Sequence, residues 1–176
     1  IDVVRFRGQV MQQAVPLGQG AMAAILGLEE ADLDAACRDA AQGEVVEPVN
    51  FNAPGQTVIA GNATAVARAI DAAKARGAKR AVLLPVSVPS HSSLMRGAAE
   101  RLAGKLASVE VRLPDVADVY TVDVRKHASP DGIRQSLREQ LFKPVRWADT
   151  VRAMLAGGAT TFVECGPGKV LTSLNR

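Results

Sequence analysis

Aromatic side chains are scarce: one Trp, one Tyr and four Phe make up 3% of the 176 residues. A sheet that binds single-stranded RNA stacks bases on aromatic rings, so this scarcity argues against such a module despite a pI near 9.1. Cysteine and histidine are equally rare, two of each. Cys37 and Cys165 are too distant in sequence to form a ligand pair, and two histidines add little, so no metal site is expected. Both thiols read as reduced, small and buried, as in a cytoplasmic protein. No apolar run approaches the ~20 residues that cross a membrane. Nor does a basic leader or a signal-type apolar stretch follow Ile1, and an opening on Ile1 reads as a cleaved or truncated product. The net charge of +3, spread along the chain, makes an acidic partner somewhat more expected and does not demand nucleic acid.

What is present is an ordinary globular mixture, 48% hydrophobic and 22% charged. Apolar residues at 3, 4, 6, 10, 11 and 14 predict a helix over Ile1 to Val15, ended by Pro16, Gly18 and Gly20. A strand at Ala21 to Leu26 and a helix at Glu29 to Ala41 follow, then a strand at Val45 to Phe51. The turn Ala53-Pro54-Gly55 leads to a strand at Thr57 to Ala60. A helix over Ala63 to Arg76 is bounded by Asn62 as N-cap and Gly77 after its end. A long strand at Ala81 to Val88 completes β-α-β-β-α-β, the order of a ferredoxin-like unit. Beyond it, helices at Ser90 to Ala107, Asp131 to Phe142, Trp147 to Ala156 and from Lys169 alternate with strands at Val116 to Val124 and Thr160 to Cys165. That alternation suits a parallel α/β layer, but its strands are too few for a complete sheet. The ferredoxin-like unit, residues 18–87, therefore reads as an insertion into a larger α/β subdomain, of which 1–17 and 88–176 are parts.

Two residues are candidates for chemistry. His91 stands where an apolar strand gives way to a helix, a position from which α/β folds present functional groups and where a histidine can act as general base. A capping or surface histidine fits the same place. Arg7 sits in a mostly apolar helix beside Gly8, and a buried guanidinium needs a partner. A substrate carboxylate would supply one bidentately; so would a protein carboxylate, or a snorkelling position. His127, among Arg125, Lys126 and Ser129, reads as a solvated loop residue. Gly166-Pro167-Gly168-Lys169 lacks the spacing of a phosphate loop and reads as a strand-to-helix turn.

Several segments together are more specific than any one of them. Arg7-Gly8-Gln9-Val10-Met11-Gln12, Pro48-Val49-Asn50-Phe51-Asn52-Ala53-Pro54-Gly55-Gln56 and Pro85-Val86-Ser87-Val88-Pro89-Ser90-His91 resemble segments of malonyl-CoA:acyl-carrier-protein transacylases. So do Gln140-Leu141-Phe142-Lys143-Pro144-Val145-Arg146-Trp147 and Glu164-Cys165-Gly166-Pro167-Gly168-Lys169, in the family's order across essentially the whole chain. The resemblance implies an α/β-hydrolase-like large subdomain, incomplete in this chain, with a ferredoxin-like insertion. It implies fatty acid biosynthesis by ping-pong transfer of malonyl from malonyl-CoA, through a serine acyl-enzyme, to the phosphopantetheine thiol of acyl carrier protein. His91 would be the general base and the backbone carbonyl of Gln140 its orienting partner. Arg7 would hold the malonyl carboxylate, and Met11, one turn on, would border the acyl pocket. No metal or redox cofactor, no nucleic acid and no membrane is implied, and the complete enzyme would be a cytoplasmic monomer. Among Lys74, Arg76, Lys79 and Arg80, the pair Lys79 and Arg80 is the candidate docking patch for an acidic carrier protein; a solvated helix end is the plain alternative.

This sequence departs from the family's pattern in two ways. It contains no Gly-His-Ser-x-Gly elbow and no Gly-Gln-Gly oxyanion segment, so these 176 residues alone are expected to be inactive. Val119-Tyr120-Thr121-Val122 also lacks the asparagine usual before Val122. Alternatives are the acyltransferase domain of a polyketide synthase and, from another class, a non-catalytic ferredoxin-like binding module.

Overall fold

The computed structural model describes residues 1–116 and 122–174. The opening helix α1 spans Asp2–Gln12 and buries Val10 and Met11 on one face. Short apolar runs and alanine-rich amphipathic runs then alternate, giving β1 (Gly20–Leu26), α2 (Glu30–Ala41), β2 (Val46–Ala53), β3 (Gln56–Asn62), α3 (Ala63–Ala75) and β4 (Arg80–Leu83). The four strands form one antiparallel sheet in the order β2-β3-β1-β4. Alternation along β1 sends Ala21, Ala23 and Ile25 to the face covered by α2 and α3. There Leu33, Ala36, Cys37 and Ala40 of α2 meet Ala65, Val66, Ala69 and Ala73 of α3, all buried. Alanine on both helices lets them settle close to the sheet and to each other. Met22, Val49, Val58 and Ala60 make a smaller buried cluster on the opposite face.

Two close backbone approaches fix the edges of this layer. A Cβ on Gly61 would lie 1.9 Å from the Val45 carbonyl oxygen, so no other residue fits there without moving the backbone. Asn62 stands at the N-cap position of α3 but makes no side-chain cap bond. Its Oδ1 instead accepts from the Val45 N–H at 2.9 Å, tying the entry of β2 to the end of β3.

The strand expected over Ala81 to Val88 is only four residues, Arg80–Leu83. Pro85 has no N–H to continue the ladder, and the Val86 N–H turns back to the Leu84 carbonyl at 2.8 Å. The helix expected from Ser90 starts late for a related reason: His91 is in the left-handed region at φ 66°. Ser92 is therefore the N-cap of a single 3₁₀ turn, Ser93–Met95, which runs into α4 (Arg96–Ala107). Helix α4 packs on α1 through Val10, Met11, Met95, Ala98, Ala99, Leu102 and Leu106, with Leu141 buried among them.

Helix α5 (Pro130–Glu139) starts one residue before the expected Asp131 and ends three before Phe142, with Pro130 in its first turn and the Gly132 N–H donating to Ser129 Oγ. Helix α6 (Trp147–Ala156) ends at Gly157, and α7 covers Val170–Leu174. Neither strand expected in this half appears among the described residues. Part of Val116 to Val124 lies outside them, as do Tyr120 and Thr121, and Val122 to Val124 form a turn. Thr160 to Cys165 is irregular and mostly exposed, Val163 at 79%, because no described strand lies beside it to share hydrogen bonds. The parallel layer is thus not seen here, and Cys165, expected buried, is exposed while Cys37 is buried. Among the described residues no helix is long and apolar enough to cross a membrane.

The packing predicts opposite responses at two glycines. Gly61→Ala should destabilise by more than about 2 kcal/mol, since the new methyl meets backbone. Gly104→Ala, inside α4 with nothing within 4 Å, should stabilise by about 0.5 kcal/mol through helix propensity. Urea denaturation of the two variants measures both signs.

Candidate active site

The site is built around the loop that joins β4 to α4. Pro89 is packed so closely on Gly20 that a Cβ there would lie 2.5 Å from Pro89 Cδ and from the Ser87 carbonyl. The fully buried Ser92 donates its hydroxyl to the Pro89 carbonyl at 2.7 Å. Between them His91 is held in the left-handed conformation, which costs a non-glycine residue about 1 kcal/mol. Two consecutive carbonyls at the end of α5 offset that cost. The His91 N–H donates to Leu141 O at 2.9 Å, and His91 Nδ1 lies 2.7 Å from Gln140 O.

A carbonyl only accepts, so Nδ1 carries the proton and Nε2 of the neutral ring keeps its lone pair. Burial pushes the imidazole below its ordinary pKa, the Gln140 bond opposes that, and the nearby Arg7 charge adds to it. The ring is therefore neutral at pH 7 and able to accept a proton at Nε2.

Arg7 reaches the same neighbourhood from α1. It is half-buried, and desolvation holds its guanidinium below the usual arginine value, although an arginine stays charged near neutrality. No carboxylate among the described residues pairs with it. A partly desolvated cation whose charge is felt at a neutral base is an arrangement suited to an anionic ligand. Met11, one turn further on, is buried against Met95 and Leu141 in the α1–α4 core.

The basic cluster is divided. Arg76 is ion-paired with Asp39, and Lys74 lies 3.8 Å from Asp71. Lys79 and Arg80 are exposed and pair with no described carboxylate; the Lys79 stem covers Gly27. His127 is not a solvated loop residue: its Nε2 is 3.1 Å from Asp123 Oδ2, with both side chains mostly buried. Gly166 to Lys169 lead into α7, whose first N–H groups are capped by the Glu164 carboxylate rather than by a phosphate-type nest; Thr172 N–H donates at 2.9 Å. Glu47, which no motif marks, accepts from Ser93 N–H at 2.7 Å and from the Ser93 hydroxyl at 2.8 Å. A lone carboxylate in a strand gives no sequence signal of such a contact.

Residues 1–175 match the acyl transferase domain family. The chain belongs to that family. This acyl transferase chain is 53% identical over all its 176 residues to a malonyl CoA-acyl carrier protein transacylase of Escherichia coli strain K12, covering 57% of that protein. It is 44% identical to the Bacillus subtilis strain 168 protein of the same name, over 99% of this chain and 55% of that one. Among solved structures, an acyl carrier protein S-malonyltransferase from Vibrio cholerae superposes with TM-score 0.96 at 54% identity, covering 98% of this chain and 56% of the other. A malonyl-transacylase in complex with its type II polyketide acyl-carrier protein superposes with TM-score 0.97 at 51% identity, covering 98% of this chain and 56% of that one. The acyl transferase chain thus spans a little over half the length of the relatives it matches.

The electrostatics predict that Arg7→Gln raises the His91 pKa, because one of the influences that lower it is removed. Titration of the His91 ring by NMR would show this, and a value unmoved or lowered would contradict the reading.

Proposed function

We propose that these residues form the histidine- and arginine-bearing part of a malonyl-CoA:acyl-carrier-protein transacylase acting in fatty acid biosynthesis in the cytoplasm. The observation that carries this is the oriented, neutral His91 near the half-buried Arg7, which pairs with no carboxylate among the described residues. In the reaction, a serine hydroxyl supplied by a nucleophile segment outside these residues gives its proton to His91 Nε2 and attacks the malonyl thioester. The CoA thiolate leaves and takes that proton. The phosphopantetheine thiol of acyl carrier protein then repeats the exchange and carries malonyl away. Gln140 keeps the tautomer fixed, Arg7 pairs with the free malonyl carboxylate, and Met11 borders the acyl group. The reaction runs on its two substrates alone. These 176 residues hold no Gly-His-Ser-x-Gly elbow, so by themselves they would form no acyl-enzyme.

The architecture reads the same way. A β-α-β-β-α-β order with strands arranged β4-β1-β3-β2 is that of a ferredoxin-like unit. We assign it residues 18–87, inserted between 1–17 and 88–176 of an α/β-hydrolase-like large subdomain. The malonyl transacylase names of the relatives favour this function over a polyketide synthase domain or a non-catalytic module.

Arg7→Ala in the complete enzyme should cost malonyl transfer about 2–4 kcal/mol in kcat/KM while acetyl transfer falls far less. Equal losses for the two acyl groups, measured side by side, would end the carboxylate role. Lys79 and Arg80 are proposed to steer the acidic carrier protein. Converting both to glutamate should raise the carrier KM and leave malonyl loading from CoA intact; an unchanged carrier KM rejects the patch.

A further inference from the structure

The two loops that make the His91 site are both fastened to one strand. The free edge of β2 takes up the segment after α5: the Val145 N–H donates to Val49 O at 2.8 Å and the Phe51 N–H to Val145 O at 2.9 Å. A parallel bridge joins Asn50 and Val145 there. This anchors the stretch that presents the Gln140 and Leu141 carbonyls. Two residues before Val49, the same strand sends Glu47 to the other loop, where both carboxylate oxygens are engaged by Ser93, one by its N–H and one by its hydroxyl. Ser93 opens the 3₁₀ turn two residues after His91, so the carboxylate also meets the N-terminal end of the α4 segment, where negative charge is favoured. The register of β2 against β3 slips between Pro48 and Asn50, a bulge that falls between the two points of attachment.

We propose that Glu47 is a positioning residue for the base: by clamping Ser93 it holds the strained His91 backbone against Leu141, with β2 as the common rail for the imidazole and its carbonyl partner. This rests on the proposed function for its kinetic consequence, but not for its structural one. The left-handed His91 would relax toward ordinary backbone if its loop were released, and two hydrogen bonds to a carboxylate are a stronger restraint than neutral ones. The hydrogen bonds of Glu47 go to Ser93 and not to the His91 ring. Its effect on the reaction must therefore pass through the placement of His91 Nε2, and through turnover rather than binding.

The test compares Glu47→Ala, Glu47→Gln and Ser93→Ala in the complete enzyme by amide hydrogen exchange and steady-state kinetics. In Glu47→Ala the His91 amide should exchange about tenfold faster, while amides of β1 and β3 keep their protection. Its kcat for malonyl transfer should fall about fivefold or more with KM for malonyl-CoA unchanged. Ser93→Ala, which deletes one of the two bonds and leaves the backbone one, should do the same to a smaller degree. Glu47→Gln, which keeps one acceptor, should restore part of both. An unchanged His91 exchange rate in Glu47→Ala overturns the proposal, as does a loss of activity carried wholly by KM. Were the unmutated enzyme to transfer no malonyl, the functional reading would fall, and the exchange measurement would still decide the role of Glu47.

Discussion

The backbone of His91 is the point on which the arrangement turns. It sits at φ 66° and bonds to two successive carbonyls, with its own N–H to Leu141 and its ring to Gln140. Those carbonyls are available because α5 ends there, leaving the last acceptors of the helix without partners of their own. Leu141, fully buried between α1 and α4, fixes where α5 stops. The strain at one residue is thus balanced by orphan acceptors at another and by a hydrophobic anchor that locks the two together. Gly20 contributes from the sheet side, because any side chain there would push Pro89 and the loop away.

How much of this could be read beforehand depended on whether the signal was local. The sheet-and-helix unit was legible because period-2 and period-3.6 runs with Pro54-Gly55 and Gly61-Asn62 as punctuation report themselves residue by residue. The end of β4 was not, because Leu84, Val86 and Val88 look like more strand until the missing N–H of Pro85 and the packing against Gly20 intervene. Thr160 to Cys165 has a strand's composition, but a strand exists only where neighbours accept its hydrogen bonds. The described residues offer none, and composition says nothing about neighbours.

The site followed the same division. His91 could be singled out from its position between a strand-like run and a helix-like one, and Arg7 from its charge in an apolar helix. That the two act on each other could not, because most of the 83 residues between them fold into a separate layer before α4 returns to pack on α1. Glu47 left no trace at all. Its significance lies in a long-range pair with Ser93, and long-range pairs are what a single sequence does not disclose. His127 was misread for the converse reason: polar neighbours in sequence suggested solvent, whereas Asp123, four residues earlier, supplies the partner.

The placement of Arg7 beside His91 carries a cost that the proposed reaction would turn to use. A half-buried cation weakens the base next to it, which by itself works against proton abstraction. An acyl group bearing a carboxylate would pair with that cation and cancel much of its field at the imidazole. The base would then be strengthened when the anionic substrate is in place, and would remain weaker in front of an acyl group with no charge to offer. On this reading, selection for a carboxylate and activation of the base come from one electrostatic arrangement. Both depend on the same feature, two groups partly drawn out of water, a helix residue and a loop residue, with no carboxylate among the described residues paired to the cation.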